Sequence, residues 1–203
     1  AGLRDALLAL GHTVTDHGNL ALADRDTFPP DARGGDFLPT IAAVCAELAD
    51  RVEASVRARH FPVVLGGDHS LAAGSVAGAA RALRARGETL GLLWIDAHGD
   101  INTPETSPSG NVHGMPVAHL LGHGDPQLMF GDGASVRAEH TALVGIRDLD
   151  AGEREHLRAF GVHVFTMHDV DRRGLSNVME EAMALVNTGT SGLWVSYDVD
   201  VQD

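Results

Sequence analysis

Apolar and polar positions along this chain fall into blocks of two kinds. Short apolar runs of strand character lie near residues 62–66, 90–95, 142–146, 162–166 and 193–197. Between them, the stretches near 40–59, 70–86, 153–160 and 175–187 space their apolar residues as helices do. Strands joined by crossover helices build a parallel sheet, so the pattern predicts an open α/β architecture. Pro29-Pro30 and Gly34-Gly35 break the chain ahead of the first long helix, and Gly131-Asp132-Gly133 marks a surface loop. No internal repeat, low-complexity tract or linker divides the sequence, which predicts one domain over residues 1–203.

Three of the apolar runs end in ionisable motifs. Pro62-Val63-Val64-Leu65 leads into Gly66-Gly67-Asp68-His69-Ser70, and Leu90 to Ile95 leads into Asp96-Ala97-His98-Gly99-Asp100-Ile101-Asn102. Leu193-Trp194-Val195 leads into Ser196-Tyr197-Asp198-Val199-Asp200. Ligands of open parallel sheets bind outside the carboxyl ends of the strands, so clusters distant in sequence can converge there. His69, Asp96, His98, Asp100, Asp198 and Asp200 form a donor set of two imidazoles and four carboxylates without thiolates. That set suits manganese, zinc, iron or cobalt better than copper(I), an iron–sulfur cluster or calcium. Alternation along an extended chain puts Asp96, His98 and Asp100 on one side, and likewise Asp198 and Asp200. Carboxylates can bridge where imidazoles cannot, which favours two ions about 3.5–4 Å apart over one tetrahedral site. Four carboxylates gathered without a cation would repel one another. His12, His17, His60, His119, His123, His140, His156, His163 and His168 have no carboxylates at ligand spacing and are predicted to be surface or core residues.

Composition narrows the partners. Fifteen Lys and Arg against 28 Asp and Glu give a net charge of −13, which argues against nucleic acid or an anionic membrane as partner. No apolar run is long enough to span a bilayer, and Ala6 to Leu10 lacks the basic leader of a signal peptide. Cys45 is the only cysteine, so no internal disulfide can form, and a reducing cytoplasm is the expected location. Its place in a helical stretch predicts a packing role.

The polar segment Asn102 to Pro116, punctuated by proline and glycine, follows directly on a candidate ligand. It is expected to be a loop over the metal crevice, with Asn and Ser groups able to donate to a carboxylate and His113 able to move a proton near neutrality.

These segments carry a resemblance. Gly-Gly-Asp-His-Ser at 66–70, Asp-Ala-His-Gly-Asp-Ile-Asn at 96–102, Ser-Gly-Asn-Val-His-Gly at 109–114 and Ser-Tyr-Asp-Val-Asp at 196–200 resemble the motifs of the arginase/agmatinase ureohydrolase family. Gly145 to Glu153 and Met167 to Arg172 fit the same order, so the likeness covers nearly the whole chain. The resemblance implies a doubly wound, mostly parallel sheet with helices on both faces. It also implies two manganese ions per subunit and hydrolysis of a guanidinium group to urea and an amine. By position, His69 and Asp100 would hold one ion, His98 and Asp200 the other, and Asp96 and Asp198 would bridge them. A hydroxide held between the ions, oriented by Asp100, would attack the guanidinium carbon, with His113 shuttling a proton.

In arginases the group matched by Asn102, Ser109 and Asn111 holds the substrate α-carboxylate, and the group matched by Asp150 and Glu153 holds its α-ammonium, partly through water. The Thr106 to Asn111 loop therefore favours L-arginine, giving L-ornithine, and looks most like that of bacterial arginases. The alternatives are an agmatinase or another guanidino-substrate ureohydrolase and, more distantly, a metal-binding scaffold that has lost catalysis. The resemblance also implies a fragment lacking the first strand of the fold and a C-terminal portion. The strand at 193–197 would then lose a sheet neighbour. A full-length protein would be a homo-oligomer, trimeric or hexameric.

Overall fold

The computed structural model describes residues 2–202. Its strands are β1 (Leu90–Ile95), β2 (Thr141–Ile146), β3 (His163–Thr166) and β4 (Gly192–Tyr197), all parallel and in the spatial order β3-β2-β1-β4. The helices are α1 (Leu3–Ala9), α2 (Leu38–Arg57), α3 (Leu71–Arg84), α4 (Pro116–Leu120), α5 (Ala151–Ala159), α6 (Met167–Arg173) and α7 (Leu175–Asn187). No helix among the described residues is long and apolar enough to cross a membrane.

Successive side chains of a strand point to opposite faces, and β1 uses both. Leu90, Leu92 and Trp94 join a core with Val76 and Ala80 of α3 and Val117 of α4. Leu93 packs on the other face with Val178, Ala182 and Val186 of α7. Helices thus cover both faces of the sheet, as the resemblance implied. The helical pair α2 and α3 approaches at backbone contact. A Cβ on Gly74 would stand 2.3 Å from the Cys45 carbonyl oxygen, and one on Gly78 would stand 2.3 Å from that of Ala49. Cys45 is buried there, its thiol 3.3 Å from the Ser70 carbonyl oxygen and pushed up to about 11 by burial, which is packing rather than reactivity.

The sheet order contains a reversal. From β1 the chain moves outward to β2 and β3, then returns past β1 to place β4 on the opposite side. The crevice outside the carboxyl ends of β1 and β4 is therefore the topological switch point, where ligands of open α/β sheets bind.

The segment expected to be a strand at 62–66 is not one. It runs without regular structure, with Phe61, Val63 and Leu65 at 91%, 54% and 75% exposure. A strand requires a hydrogen-bonded neighbour. Instead, a groove of about 740 Å³ separates this segment from Leu193, Trp194 and Val195 of β4. Among the described residues the outer edge of β4 is correspondingly unpaired, and Val195 and Tyr197 are about half exposed.

Candidate metal centre

The ligand motifs sit where β1 and β4 end. The Asp96 amide still donates to the Val144 carbonyl, at 3.1 Å, and extends the ladder by one residue. The chain then turns away from the sheet, and Asp100 takes φ +47°, a left-handed conformation that aspartate tolerates better than most residues. Three hydrogen bonds pin this turn. The Val117 amide donates to the Asp100 carbonyl at 2.9 Å, the Asn102 amide to the Gly114 carbonyl at 3.1 Å, and His156 Nδ1 to the Ile101 carbonyl at 2.8 Å. Beyond β4, the Asp198 amide donates to the Ile95 carbonyl at 2.9 Å, and Val199–Gln202 form a 3-10 turn. The Arg147 guanidinium holds that turn by donating to the carbonyls of Asp200, at 2.6 Å, and Val201. Its backbone amide donates to Ala97 of the β1 loop, so one residue at the end of β2 touches both ligand loops.

Two donor clusters result, and they share one carboxylate. His69, Asp96 and Asp198 form the first, and Asp96, His98 and Asp200 the second, with ligand atoms within 4.8 Å of one another in each. His69 Nδ1 lies 3.0 Å from Asp96 Oδ2, 3.1 Å from Asp100 Oδ2 and 3.2 Å from Asp198 Oδ2. His98 Nδ1 lies 3.1 Å from Asp200 Oδ2 and 3.3 Å from Asp96 Oδ1. Asp96 thus offers one oxygen to each cluster, as a bridging ligand must. All six sequence-predicted ligands converge at the switch point. Asp198 belongs to the first cluster only, so of the two carboxylates expected to bridge, Asp96 alone faces both clusters in this geometry.

The environment of His69 fits a cation. Its Nε2 is 2.9 Å from Ser196 Oγ and its ring stacks on Trp94 at 4.1 Å. With the Nε2 proton given to Ser196, Nδ1 is left as the ligating nitrogen, the usual way an outer partner fixes a metal-binding imidazole. That Nδ1 is buried and has no partner in hydrogen-bond geometry, although three carboxylate oxygens surround it. A neutral nitrogen lone pair facing three anionic oxygens is repulsive, so a positive charge belongs at this point. In the metal-free chain a proton supplies it. Burial alone would lower the His69 pKa, but the close carboxylates of Asp100 and Asp96 outweigh it and hold the ring at about 9. Burial with the negative charge of Asp96 nearby raises Asp100 to about 6, while His69 and His98 overcome burial to keep Asp96 below the usual carboxylate range. Nitrogen and oxygen donors without thiolate, one shared carboxylate and an orphaned buried imidazole nitrogen together suit two borderline or hard divalent ions.

The remaining predicted site residues occupy a second tier. His113 is half exposed, its Nδ1 3.4 Å from Asp68 Oδ2. The Asp68 carboxylate is itself steadied by the Ser70 amide and hydroxyl. Asn102 is buried, its Nδ2 donating to Asp150 Oδ2 at 2.7 Å and its Oδ1 accepting from Thr106 Oγ1 at 2.9 Å. Ser109 lies on the exposed lip of the loop, its hydroxyl accepting from the Asn111 amide at 3.2 Å. Asp150 caps α5 by accepting from the Glu153 amide, and Glu153 returns the bond to the Asp150 amide. Trp94, Ser196, Asp68, Thr106 and Arg147 were not singled out from sequence. Ser196 and Asp68 lie inside the recognised motifs, whereas Arg147 acts on carbonyls more than fifty residues away, which no local pattern encodes. His119 is a core residue, its Nδ1 donating to the Met115 carbonyl at 2.7 Å and its Nε2 without a partner among the described residues.

Residues 3–203 match the Arginase family. The arginase of Bacillus caldovelox is 42% identical over 207 residues, covering all of this chain and 68% of the relative. That of Brevibacillus brevis is 40% identical over 205 residues, covering all of this chain and 67% of the relative. The crystal structure of arginase from Bacillus cereus superimposes with a TM-score of 0.88 at 40% identity, covering 98% of this chain and 65% of that one. The chain thus spans about two thirds of the length of the relatives it matches.

Proposed function

The chain belongs to the arginase family, and from that premise we propose that the protein is a manganese-dependent hydrolase that cleaves the guanidinium group of L-arginine to L-ornithine and urea. The observation that carries the reading is Asp96. Its two oxygens face separate nitrogen-and-oxygen clusters at the switch point of the sheet, an arrangement suited to a pair of ions rather than one.

In this reading His69, Asp100, His98 and Asp200, with Asp96 and Asp198 between them, would hold two manganese ions. Two bound divalent ions would supply a water acidified to near-neutral pKa and a positive field for developing negative charge. The protein's own groups do the rest. Asp100, buried 3.1 Å from His69 Nδ1, would orient the attacking water through its carboxylate. His113, on the accessible rim and braced by Asp68, passes a proton to the leaving amine. Ser109 and Asn111 at the lip, with Asn102, would donate to the substrate α-carboxylate, and Asp150 with Glu153, partly through water, would hold its α-ammonium. A site built of donors leaves them unpaired when the carboxylate is missing, which costs on the order of 1–3 kcal/mol per group. The loop therefore selects arginine over agmatine.

Urea release from L-arginine and agmatine, measured side by side on the manganese-loaded full-length protein, tests the proposal. Strong preference for arginine is expected. Preference for agmatine would keep the two-metal hydrolase and overturn the roles of Asn102, Ser109 and Asn111. Urea from neither substrate would overturn the activity and bring forward a different guanidino substrate or a scaffold role.

A further inference from the structure

We propose that Thr106 is a positioning residue for substrate recognition. Its hydroxyl locks the side-chain amide of Asn102 in one orientation, so that the NH2 group, rather than the oxygen, is the face offered to Asp150 and to the substrate α-carboxylate. The inference rests on Asn102 belonging to the carboxylate subsite of an arginine hydrolase.

The two ends of an asparagine amide are nearly equal in shape, and only their partners decide which one donates. Here the partners leave one answer. On one side the Asp150 carboxylate, which can only accept, lies 2.7 Å from Asn102 Nδ2. Turned over, the amide would set its oxygen against an anionic oxygen at that distance. On the other side Thr106 Oγ1 donates to Asn102 Oδ1 at 2.9 Å. A hydroxyl has a single proton, and the Thr103 amide, donating into Oγ1 at 3.0 Å, occupies one of its lone pairs. The other acceptors in reach of that proton, the Thr103 hydroxyl and carbonyl oxygens, stand farther off at 3.5 and 3.4 Å.

The bonds therefore form a chain with one sense. The Thr103 amide donates to Thr106, Thr106 to Asn102 and Asn102 to Asp150, whose other oxygen takes the Glu153 amide at 2.9 Å. The first turn of α5 closes on the pair. A Cβ on Gly152 would lie 2.7 Å from Asn102 Oδ1 and 2.9 Å from Thr106 Cβ. Asn102 is 5% exposed, so solvent cannot readily replace the hydroxyl. Of the two Nδ2 protons Asp150 takes one, and the second meets no acceptor among the described residues. That second proton is the one available to a substrate carboxylate. Without the Thr106 hydroxyl a buried oxygen is left unpaired or the amide turns over, and either outcome spoils the donor.

The loop itself has other support, since the amides of Thr106 and Ser107 both donate to the Thr103 carbonyl, at 3.1 and 3.0 Å. Valine at 106 does deprive the Thr103 amide of its acceptor. A background without the Asn102 side chain separates that effect from the proposed one.

The test uses Thr106→Val and Thr106→Ser in the full-length, manganese-loaded protein, with Thr106→Val repeated in an Asn102→Ala background. Urea release gives kcat and KM for L-arginine and agmatine, with the inhibition constant of agmatine taken where its turnover is slow. Thr106→Val should raise KM for arginine by about 3- to 10-fold, the effect of one neutral hydrogen bond, with kcat changed far less. Agmatine has no carboxylate, and Asp150 keeps the Glu153 amide, so its constant should move by less than about twofold. Serine restores the hydroxyl and should bring KM for arginine back to within about twofold of wild type. In the Asn102→Ala background valine should have no further effect on KM. If the valine variant does not fold, Thr106→Ala carries the same readouts.

An equal rise in KM with and without the Asn102 side chain overturns the proposal, as does an equal rise for arginine and agmatine or a serine variant as impaired as valine. If the wild-type protein prefers agmatine or releases no urea, the substrate reading fails on its own, and the same variants decide the link in EDTA. A denaturation midpoint lowered by valine only when Asn102 is present supports the lock, and equal losses in both backgrounds overturn it.

Discussion

The substitution Asp100→Asn separates what the acidic cluster costs the fold from what it does for a cation. Asp100 is 7% exposed, and burial, joined by the nearby charges of Asp96 and Glu153 and opposed by His69, raises its carboxyl from 3.8 to about 6. Since 1.36 kcal/mol corresponds to one pK, that rise is about 3 kcal/mol of folding stability. The folded-state pKa lies above the unfolded one. The contribution is therefore fully present below 3.8, is lost as pH rises through about 6, and is absent at pH 8. Asparagine is neutral throughout, nearly isosteric, and at home at the left-handed φ of this position. The metal-free variant should be more stable than wild type by about 1–3 kcal/mol at pH 8, with the gain shrinking toward pH 4. Urea denaturation in EDTA at several pH values measures it. In manganese at about 100-fold over its dissociation constant, wild type gains about 2.7 kcal/mol by mass action, whereas the variant with a weakened site gains less. The order of stability then narrows or reverses. A variant less stable than wild type in EDTA at pH 8, or a gain independent of pH, would refute the reasoning.

His98→Asn removes the only imidazole of the second cluster, so manganese per subunit should fall from two toward one with turnover depressed, as read by metal analysis after gel filtration. Asn111→Ala, at the edge of the loop and away from both clusters, should leave metal content unchanged and raise KM for arginine by about 5- to 150-fold, the equivalent of 1–3 kcal/mol for an unpaired carboxylate. An equal loss of affinity for agmatine would sink the carboxylate assignment. Gly78→Ala gains up to about 1 kcal/mol of helix propensity, but its Cβ would overlap the Ala49 carbonyl oxygen at 2.3 Å. Backbone cannot rotate away as a side chain can, so a net loss of about 1–2 kcal/mol is expected in a denaturation midpoint.

Where local pattern and tertiary contact agree, the fold was readable from sequence. Residues 90–95 are a strand as expected, and the helix expected at 175–187 has those bounds. The run at 62–66 has the right apolar content and still forms no strand, because strand formation depends on a neighbour that local composition does not report. The short helix α6 was passed over although Thr166 and Asp169 form a capping box at its start, with Thr166 Oγ1 and the Asp169 carboxylate bonding reciprocally to backbone amides. That signal was legible. α4 is only five residues long, too short for periodicity to mark it.

The candidate site divides along a similar physical line. Its six candidate metal donors, which the structure brings together, were legible as a cluster because strand ends keep them in short motifs. The residues that aim them were not, since they act on rings or on backbone, and backbone groups carry no sequence signature. Trp94 steadies His69 by stacking, Ser196 fixes its tautomer, and Arg147 grips the carbonyls of Asp200 and Val201. Such partners matter here because the donors repel one another. Asp96, Asp100 and Asp198 each bring an oxygen to within 3.2 Å of one imidazole nitrogen, and without a cation the cluster relies on a proton at His69. Holding three carboxylates that close before the metal arrives requires stiff support from behind. The cost of that pre-organisation is what a bound divalent pair would recover, so the strain of the metal-free site and its affinity for metal have the same origin.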